Sequence, residues 1–308
     1  MSSSIANKTP KKDLPILCKN VYFIYFNGLS QLYKSGKMFS IVLVCLENFQ
    51  EYILVNISQL FKLGHMRIYV LTNKHLMHNF TTVSGIVELV SVESFFEEKS
   101  TLECNDELKR LFVLYSFMAS RPNIKNVILI ENNVLLYYSC DDSLNTSMFD
   151  ERQIYVPFET IDRSIFSIIY IPNVVILGKV LAHYDFDHDI TNNLMNIRVN
   201  TELINTLPIF VGKDGDDFER FFVTNGFDKF GFIFDAVAIG QHVCGTDLRH
   251  TYGNLVNETC IIKYPDEGKI GWRLESGFKK PFIKLHHSRQ VIPIFNLHIV
   301  SNALKLYC

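Results

Sequence analysis

No apolar run in this 308-residue chain reaches the roughly 18 residues of a membrane-spanning helix. The longest are Phe39–Leu46 and Phe166–Leu177, and Pro172 with Asn173 interrupts the second. The polar start, Met1 to Lys12, carries Lys8, Lys11 and Lys12, and no apolar segment of signal-peptide type follows it. The expectation is a soluble, unsecreted, cytoplasmic protein. Basic excess is lacking too. Thirty Lys and Arg against 32 Asp and Glu leave a net charge of −2, which gives no electrostatic reason to expect a nucleic-acid partner. The seven cysteines (18, 45, 104, 140, 244, 260 and 308) are odd in number and form no C-x-x-C. That argues against a disulfide framework or zinc site and for a reducing compartment. Three fingerprints are also missing: the glycine-rich phosphate loop ending in Lys-Ser/Thr, a G-x-G-x-x-G after the first strand, and a G-x-S-x-G nucleophile elbow.

What is present is apolar material in an ordered pattern. Hydrophobic residues make up 48%, enough for a large core without a membrane. Residues 1–36 read as an extension with one aromatic run, Val21–Phe26. Phe39–Leu46 reads as a strand covered on both sheet faces. A helix follows, with Ile53, Ile57, Leu60 and Phe61 on one side and Gly64 at its C-cap. Strands are expected at Arg67–Thr72 and Val87–Val92. Next comes a helix from Asp106 to Ser120, with Pro122 just beyond its end, and then a strand at Lys125–Ile130. Strand, helix, strand, strand, helix, strand predicts an open, mostly parallel mixed sheet flanked by helices, an α/β fold. Ligands bind such sheets outside the strands' carboxyl ends, so the loops after Leu46, Thr72 and Ile130 should converge on one site. Residues 141–308 alternate strand-like segments (Gln153–Phe158, Ser167–Pro172, Cys260–Tyr264) with loops rich in Gly, Asn and Asp.

Three segments carry candidate chemistry. Glu131-Asn132-Asn133 directly follows an apolar strand, where an acidic cluster is placed to hold a divalent cation. Read blandly, it is a polar turn at a strand end. Asp235, in Phe234-Asp-Ala-Val-Ala-Ile-Gly-Gln241, reads as an acid facing an acceptor, as the cap of a helix whose small residues allow close packing, or as both at once. His298, in Pro293-Ile-Phe-Asn-Leu-His-Ile-Val-Ser301, is either a metal ligand or a core histidine. Thr72 and Asn73 end the second strand, and Arg110 sits on the helix preceding the Glu131 turn. The string His183-Tyr-Asp185-Phe-Asp187-His188-Asp189 is metal-like in composition but follows no apolar strand, so it reads as a solvated loop with an acceptor-side role as the rival. Lys213-Asp-Gly-Asp-Asp217 and Cys140-Asp-Asp142 read as acidic turns. Asp247 and Glu258 are rival acids to Asp235.

In order and spacing, these segments resemble the GT-A glycosyltransferases. Asn126-Val-Ile-Leu-Ile-Glu-Asn-Asn-Val-Leu-Leu-Tyr137 resembles the strand and D-x-D-type motif of that family, with Asn133 where the family places Asp. The terminal run resembles the family's Asn-Leu-His-Ile-His-Ser, with Val300 in place of the second His. The resemblance covers roughly residues 38–306. It implies a single GT-A domain over 37–308, with a donor half to about residue 140 and an acceptor half beyond. It implies transfer of a sugar from a nucleotide-diphosphate sugar donor to a glycan or other hydroxyl acceptor, assisted by Mn2+ or Mg2+. On it Glu131, Asn133 and His298 hold the metal, Thr72, Asn73, Arg110 and Asn132 contact the donor, and Asp235 acts on the acceptor. The alternative is a degenerate domain that binds a glycan or partner without turnover, motivated by the charge lost at Asn133. A nucleotidylyltransferase is disfavoured, because Leu46-Glu-Asn-Phe-Gln50 after the first strand has neither Gly nor Lys.

Overall fold

The first apolar run forms strand β1 (Ser40–Cys45), buried at every position. Its side chains alternate between two cores. Ile41, Leu43 and Cys45 enter one, Val42 and Val44 the other. That division is the signature of a sheet covered on both faces. The computed structural model describes residues 38–96, 106–160, 163–164, 167–183, 202–211, 222–223, 226–244, 268–275, 277–285, 289–299 and 305–308. The chain divides into two units, Met1–Met38 and Phe39–Cys308, and the elements below belong to the second.

The remaining strands of the main sheet are β2 (Ile68–Thr72), β3 (Glu88–Ser91), β4 (Val127–Ile130), β6 (Ile154–Thr160), β7 (Arg163–Ser164), β8 (Ile168–Ile171) and β9 (Ile204–Leu207). Their order is β3-β2-β1-β4-β8-β6-β7, with β9 beside β6. β3, β2, β1 and β4 run parallel, whereas β8 is antiparallel to both neighbours. Helix α1 (Tyr52–Lys62) packs Ile53, Ile57 and Leu60 into the first core. Burying each contributes about 1.5–3 kcal/mol. Gly64 ends α1 at φ +87°, with Gly64 N–H donating to Phe61 and His65 N–H to Leu60, the double bond of a left-handed C-cap. Helix α2 (Asp106–Ser120) covers the other face through Leu108, Leu111, Leu114, Phe117 and Met118. The α/β class and mostly parallel sheet expected from the sequence are what the chain forms.

The long apolar run from Phe166 splits where Pro172 and Asn173 predicted. β8 precedes them, and helix α4 (Val174–Ala182) follows, capped by Asn173 Oδ1 accepting from Ile176 N–H at 3.1 Å. The acidic turn Cys140-Asp-Asp142 is one short helix, α3 (Cys140–Ser143). Asp141 Oδ1 accepts from Phe39 N–H at 2.7 Å and ties that turn to the start of β1. The expected strand Cys260–Tyr264 and the residues Asp185, Asp187, His188, Asp189, Lys213–Asp217, Asp247 and Glu258 lie outside the described residues, as does Val21–Phe26.

Three further groupings of strands occur among the described residues. β10 (Phe210–Val211) pairs with β11 (Phe222–Val223). β12 (Gly268–Glu275), β13 (Phe278–Leu285) and β14 (Val291–Pro293) form an antiparallel sheet. β15 (Asn296–His298) lies antiparallel to β5 (Val134–Leu136), in register from Asn296 opposite Leu136 to His298 opposite Val134. Two more short helices, α5 (Phe227–Phe230) and α6 (Ala238–Val243), precede that sheet.

His65, just after α1, is 1% exposed. Burial lowers its pKa from 6.5 to about 4, offset only in part by the Asp142 carboxylate and the Tyr138 backbone. Between those values the unfolded chain takes up a proton that the buried ring does not. Stability therefore falls as pH drops from about 6.5 toward 4, by about 3 kcal/mol at the acid end, and is unaffected by this group above pH 7. Urea midpoints measured across that window should show the fall, and His65→Leu should remove most of it. An equal slope in both proteins would refute the assignment.

Candidate functional site

In the order β3-β2-β1-β4, β2 lies on one side of β1 and β4 on the other. The crevice at the carboxyl ends of β1 and β4 is the switch point where open α/β sheets bind ligands. Three loops meet there, as the strand pattern required. Glu47, after β1, donates its N–H to Asn73 Oδ1, after β2, at 3.0 Å. Asn132, after β4, donates its amide to Gln50 Oε1 at 3.3 Å. Glu47 holds a left-handed φ of +60° and pairs with Lys109 Nζ of α2 at 3.0 Å. A non-glycine residue in that region costs of order 1 kcal/mol, so the Asn73 and Lys109 contacts hold it in an otherwise unfavoured turn.

The Glu131 turn is shaped from beneath by α1. Asn56 is fully buried, and its amide nitrogen lies 3.4, 3.2 and 2.9 Å from the carbonyls of Glu131, Asn132 and Val134. One turn on, Gln59 donates to the carbonyl of Leu136 at 3.2 Å. The β5 segment pairs with β15 on one side, and these two side chains satisfy its carbonyls on the other. The helical periodicity marked this face as apolar. The polar exceptions at i and i+3 were the available signal, and reading them required knowing that an unpaired strand edge lies beneath.

Four residues predicted for the site come together. His298 Nε2 is 2.7 Å from Asn133 Nδ2 and 3.3 Å from Glu131 Oε2. Arg110 Nη1 reaches Glu131 Oε1 at 3.4 Å. The β15–β5 pairing produces this convergence across 165 positions of sequence, and Ile299 N–H donating to the Asn133 carbonyl fixes the register. The Asn133 amide has two orientations. One donates to the ring nitrogen, and the other presents Oδ1 to the same space.

The other predicted residues are turned inward. Asp235 is turned into the interior. Its carboxylate is 1% exposed and accepts N–H groups from Ile239 (2.9 Å), Gly240 (2.8 Å) and His298 (2.9 Å). Burial pushes this carboxyl above its ordinary pKa, against the pull of those three donors. Asp235 caps the helix, and the cap also grips the backbone of His298. Asn296 supports it, with its side chain accepting from Asp235 N–H and donating to the Asp235 carbonyl. Thr72 is fully buried opposite Cys45 and offers no surface to a donor. Asn73 is 7% exposed and stitches loops, its amide nitrogen donating to Glu93 Oε1 at 3.3 Å. Glu93 also accepts the N–H of Lys74, a role unread in the sequence. Asn132 is 4% exposed and turned inward. His183, at the end of α4, contacts the Lys179 carbonyl through Nδ1 at 2.6 Å.

No family model matches the chain, and no curated protein does. Solved structures resemble it loosely. A crystal structure of an active-site mutant of LgtC is 13% identical, covering 84% of this chain and 86% of that one at a TM-score of 0.40. Mouse xyloside xylosyltransferase 1 is 9% identical, covering 55% and 85% at 0.41. The 4-diphosphocytidyl-2C-methyl-D-erythritol synthase of Anaerococcus prevotii is 9% identical, covering 56% and 87% at 0.36. None of these likenesses places a substrate on this chain. Among the described residues, no helix is long and apolar enough to cross a membrane.

Proposed function

We propose that this chain is a glycosyltransferase of the GT-A type, which moves a sugar from a nucleotide-diphosphate donor to a hydroxyl acceptor at the Glu131 crevice. The convergence of Glu131, Asn133 and His298 at the switch point carries this reading. The set joins one carboxylate oxygen, one amide oxygen when Asn133 is turned, and one imidazole nitrogen, a mixture that suits Mn2+ or Mg2+. No cluster of three His, Cys, Asp or Glu suited to a metal occurs among the described residues, so the amide is needed as the third donor. A divalent cation held there would supply charge neutralisation for a departing diphosphate.

The chain's own residues do the rest. Glu131 supplies the single negative charge. His298 would offer Nε2. Arg110 holds Glu131 in place, and its guanidinium retains N–H donors for a phosphate. Asp235 acts as a positioning residue, through the backbone of His298.

A thermal-shift titration with UDP, GDP, CMP and their sugars, with and without Mn2+, tests the reading. One nucleotide should stabilise the protein only with metal, by about 2.7 kcal/mol at a hundredfold excess over Kd. Glu131→Ala should abolish that stabilisation and the accompanying donor hydrolysis. His298→Ala should raise the Mn2+ concentration needed by at least about tenfold. Absence of any shift with every nucleotide would favour the non-catalytic binding domain, the alternative that the missing charge at Asn133 motivates.

A further inference from the structure

A second concave surface lies on the β12–β13 hairpin, lined by residues unused in the site above. It is a cleft of about 420 Å3 bounded by Trp272, Arg273, Leu274, Lys279, Leu306 and Tyr307. Its volume falls in the range of small-molecule sites. Trp272 and Tyr307 stack with centroids 5.9 Å apart and planes 26° from parallel. The platform is anchored. The Tyr307 hydroxyl donates to the Val243 carbonyl at 2.7 Å, the Tyr307 carbonyl accepts from the Tyr137 hydroxyl at 3.1 Å, and Trp272 packs edge-on to the Tyr137 ring at 5.6 Å. Leu274 and Leu306 are each 76% exposed, although neither lies in a core. Lys279 stands directly across from Leu274 in the hairpin register. Among the described residues, the lining carries two cations and no carboxylate.

We infer that this cleft binds a pyranose sugar carrying an anionic group, with the sugar ring on the Trp272–Tyr307 platform and the anion at Lys279. One face of a pyranose presents C–H groups of slightly positive character, which suit the negative face of an aromatic ring. The exposed leucines extend the apolar contact. Lys279 supplies a charge-assisted hydrogen bond to phosphate or carboxylate. Arg273 is less available, because its guanidinium pairs with Glu275 at 2.9 Å. The inference stands independently of the transfer reading, since none of its residues belongs to the Glu131 cluster.

Trp272 is the sole tryptophan of the chain, so its fluorescence reports this cleft alone. Full-length protein is titrated with glucose 6-phosphate, glucose and inorganic phosphate separately. Glucose 6-phosphate should shift the emission saturably, and Lys279→Ala should weaken it about tenfold, the worth of one charge-assisted bond. Glucose or phosphate alone should bind more weakly by a similar factor or more. Calorimetry on Trp272→Leu should show binding lost, with circular dichroism confirming the fold. Glu131→Ala should bind glucose 6-phosphate like the parent, which separates this test from that of the Glu131 site. Phosphate alone binding as well as glucose 6-phosphate would overturn the sugar platform. An unchanged affinity in Lys279→Ala, or no emission change with any probe, would overturn the proposal.

Discussion

Replacing Gly240 by alanine is expected to destabilise the protein by at least about 3 kcal/mol and to displace His298 from Glu131 and Asn133. A Cβ at this position would lie 2.0 Å from the His298 carbonyl oxygen and 2.9 Å from Asp235 Oδ2. The first contact is with backbone, which cannot rotate away as a flexible side chain would. Overpacking alone costs about 1–3 kcal/mol. Here it also pries apart the bonds from Gly240 N–H and His298 N–H to the same Asp235 oxygen. Asp235→Ala approaches the same latch from the other side. It removes the acceptor of three buried N–H groups, each costing about 1–3 kcal/mol when left unsatisfied. Urea denaturation reads the stability, and Mn2+-dependent nucleotide binding reads the position of His298. If Gly240→Ala kept parental stability and parental Mn2+ dependence, the latch would be wrong. A protein that loses Mn2+ dependence while still folded would place the latch in the functional machinery rather than in folding alone.

The second large effect is expected at Asn56. Asn56→Asp preserves shape and replaces a buried amide donor by carboxylate oxygens facing the carbonyls of Glu131, Asn132 and Val134. The group must then stay protonated or repel all three acceptors. The expected loss is about 3–5 kcal/mol at neutral pH, a fall in Tm of roughly 10 °C. Because a carboxyl forced neutral has a raised folded-state pKa, its penalty grows as pH rises above the unfolded value near 4 and is relieved on acidification. The variant should therefore regain ground on the parent between about pH 7 and 5. Asn56→Ala lacks a titrating group, so its deficit should stay constant over that range. A pH-independent deficit in Asn56→Asp would show that the three carbonyls do not confront the side chain.

The sheet was legible along the chain because its information is local. β1 and β4 are runs buried on both faces, and such runs read as continuous apolar segments regardless of partner. Gly64, Pro172 and Asn173 punctuate elements through their own backbone and capping preferences, so the ends of α1 and β8 were also visible, although helix α4 beyond Asn173 was not. The Glu131 turn could be marked as a site because a polar cluster at a strand's carboxyl end has a meaning in any open α/β sheet.

The role of Asp235 was not settled by sequence. A carboxylate that caps a short helix and one that faces a substrate have the same neighbours along the chain. Burial and three converging N–H groups distinguish them, and one of those groups comes from 63 residues away. Thr72 and Asn73 were placed correctly in the chain yet turn inward, because side-chain direction at a strand end depends on what packs around it. Asn56 and Gln59 went unread in the sequence, because the carbonyls they satisfy belong to β5, far along the chain. By itself the sequence determined the elements of residues 39–130, their order and the crevice at the carboxyl ends of those strands, since propensity, periodicity and strand order are written locally, whereas β5, α4 and β12–β15 went unread. Only the tertiary structure decided which polar groups face that crevice and which are consumed in building it. Hydrogen-bond partners of buried groups are set by strand pairing across 165 positions, and nothing local encodes that pairing.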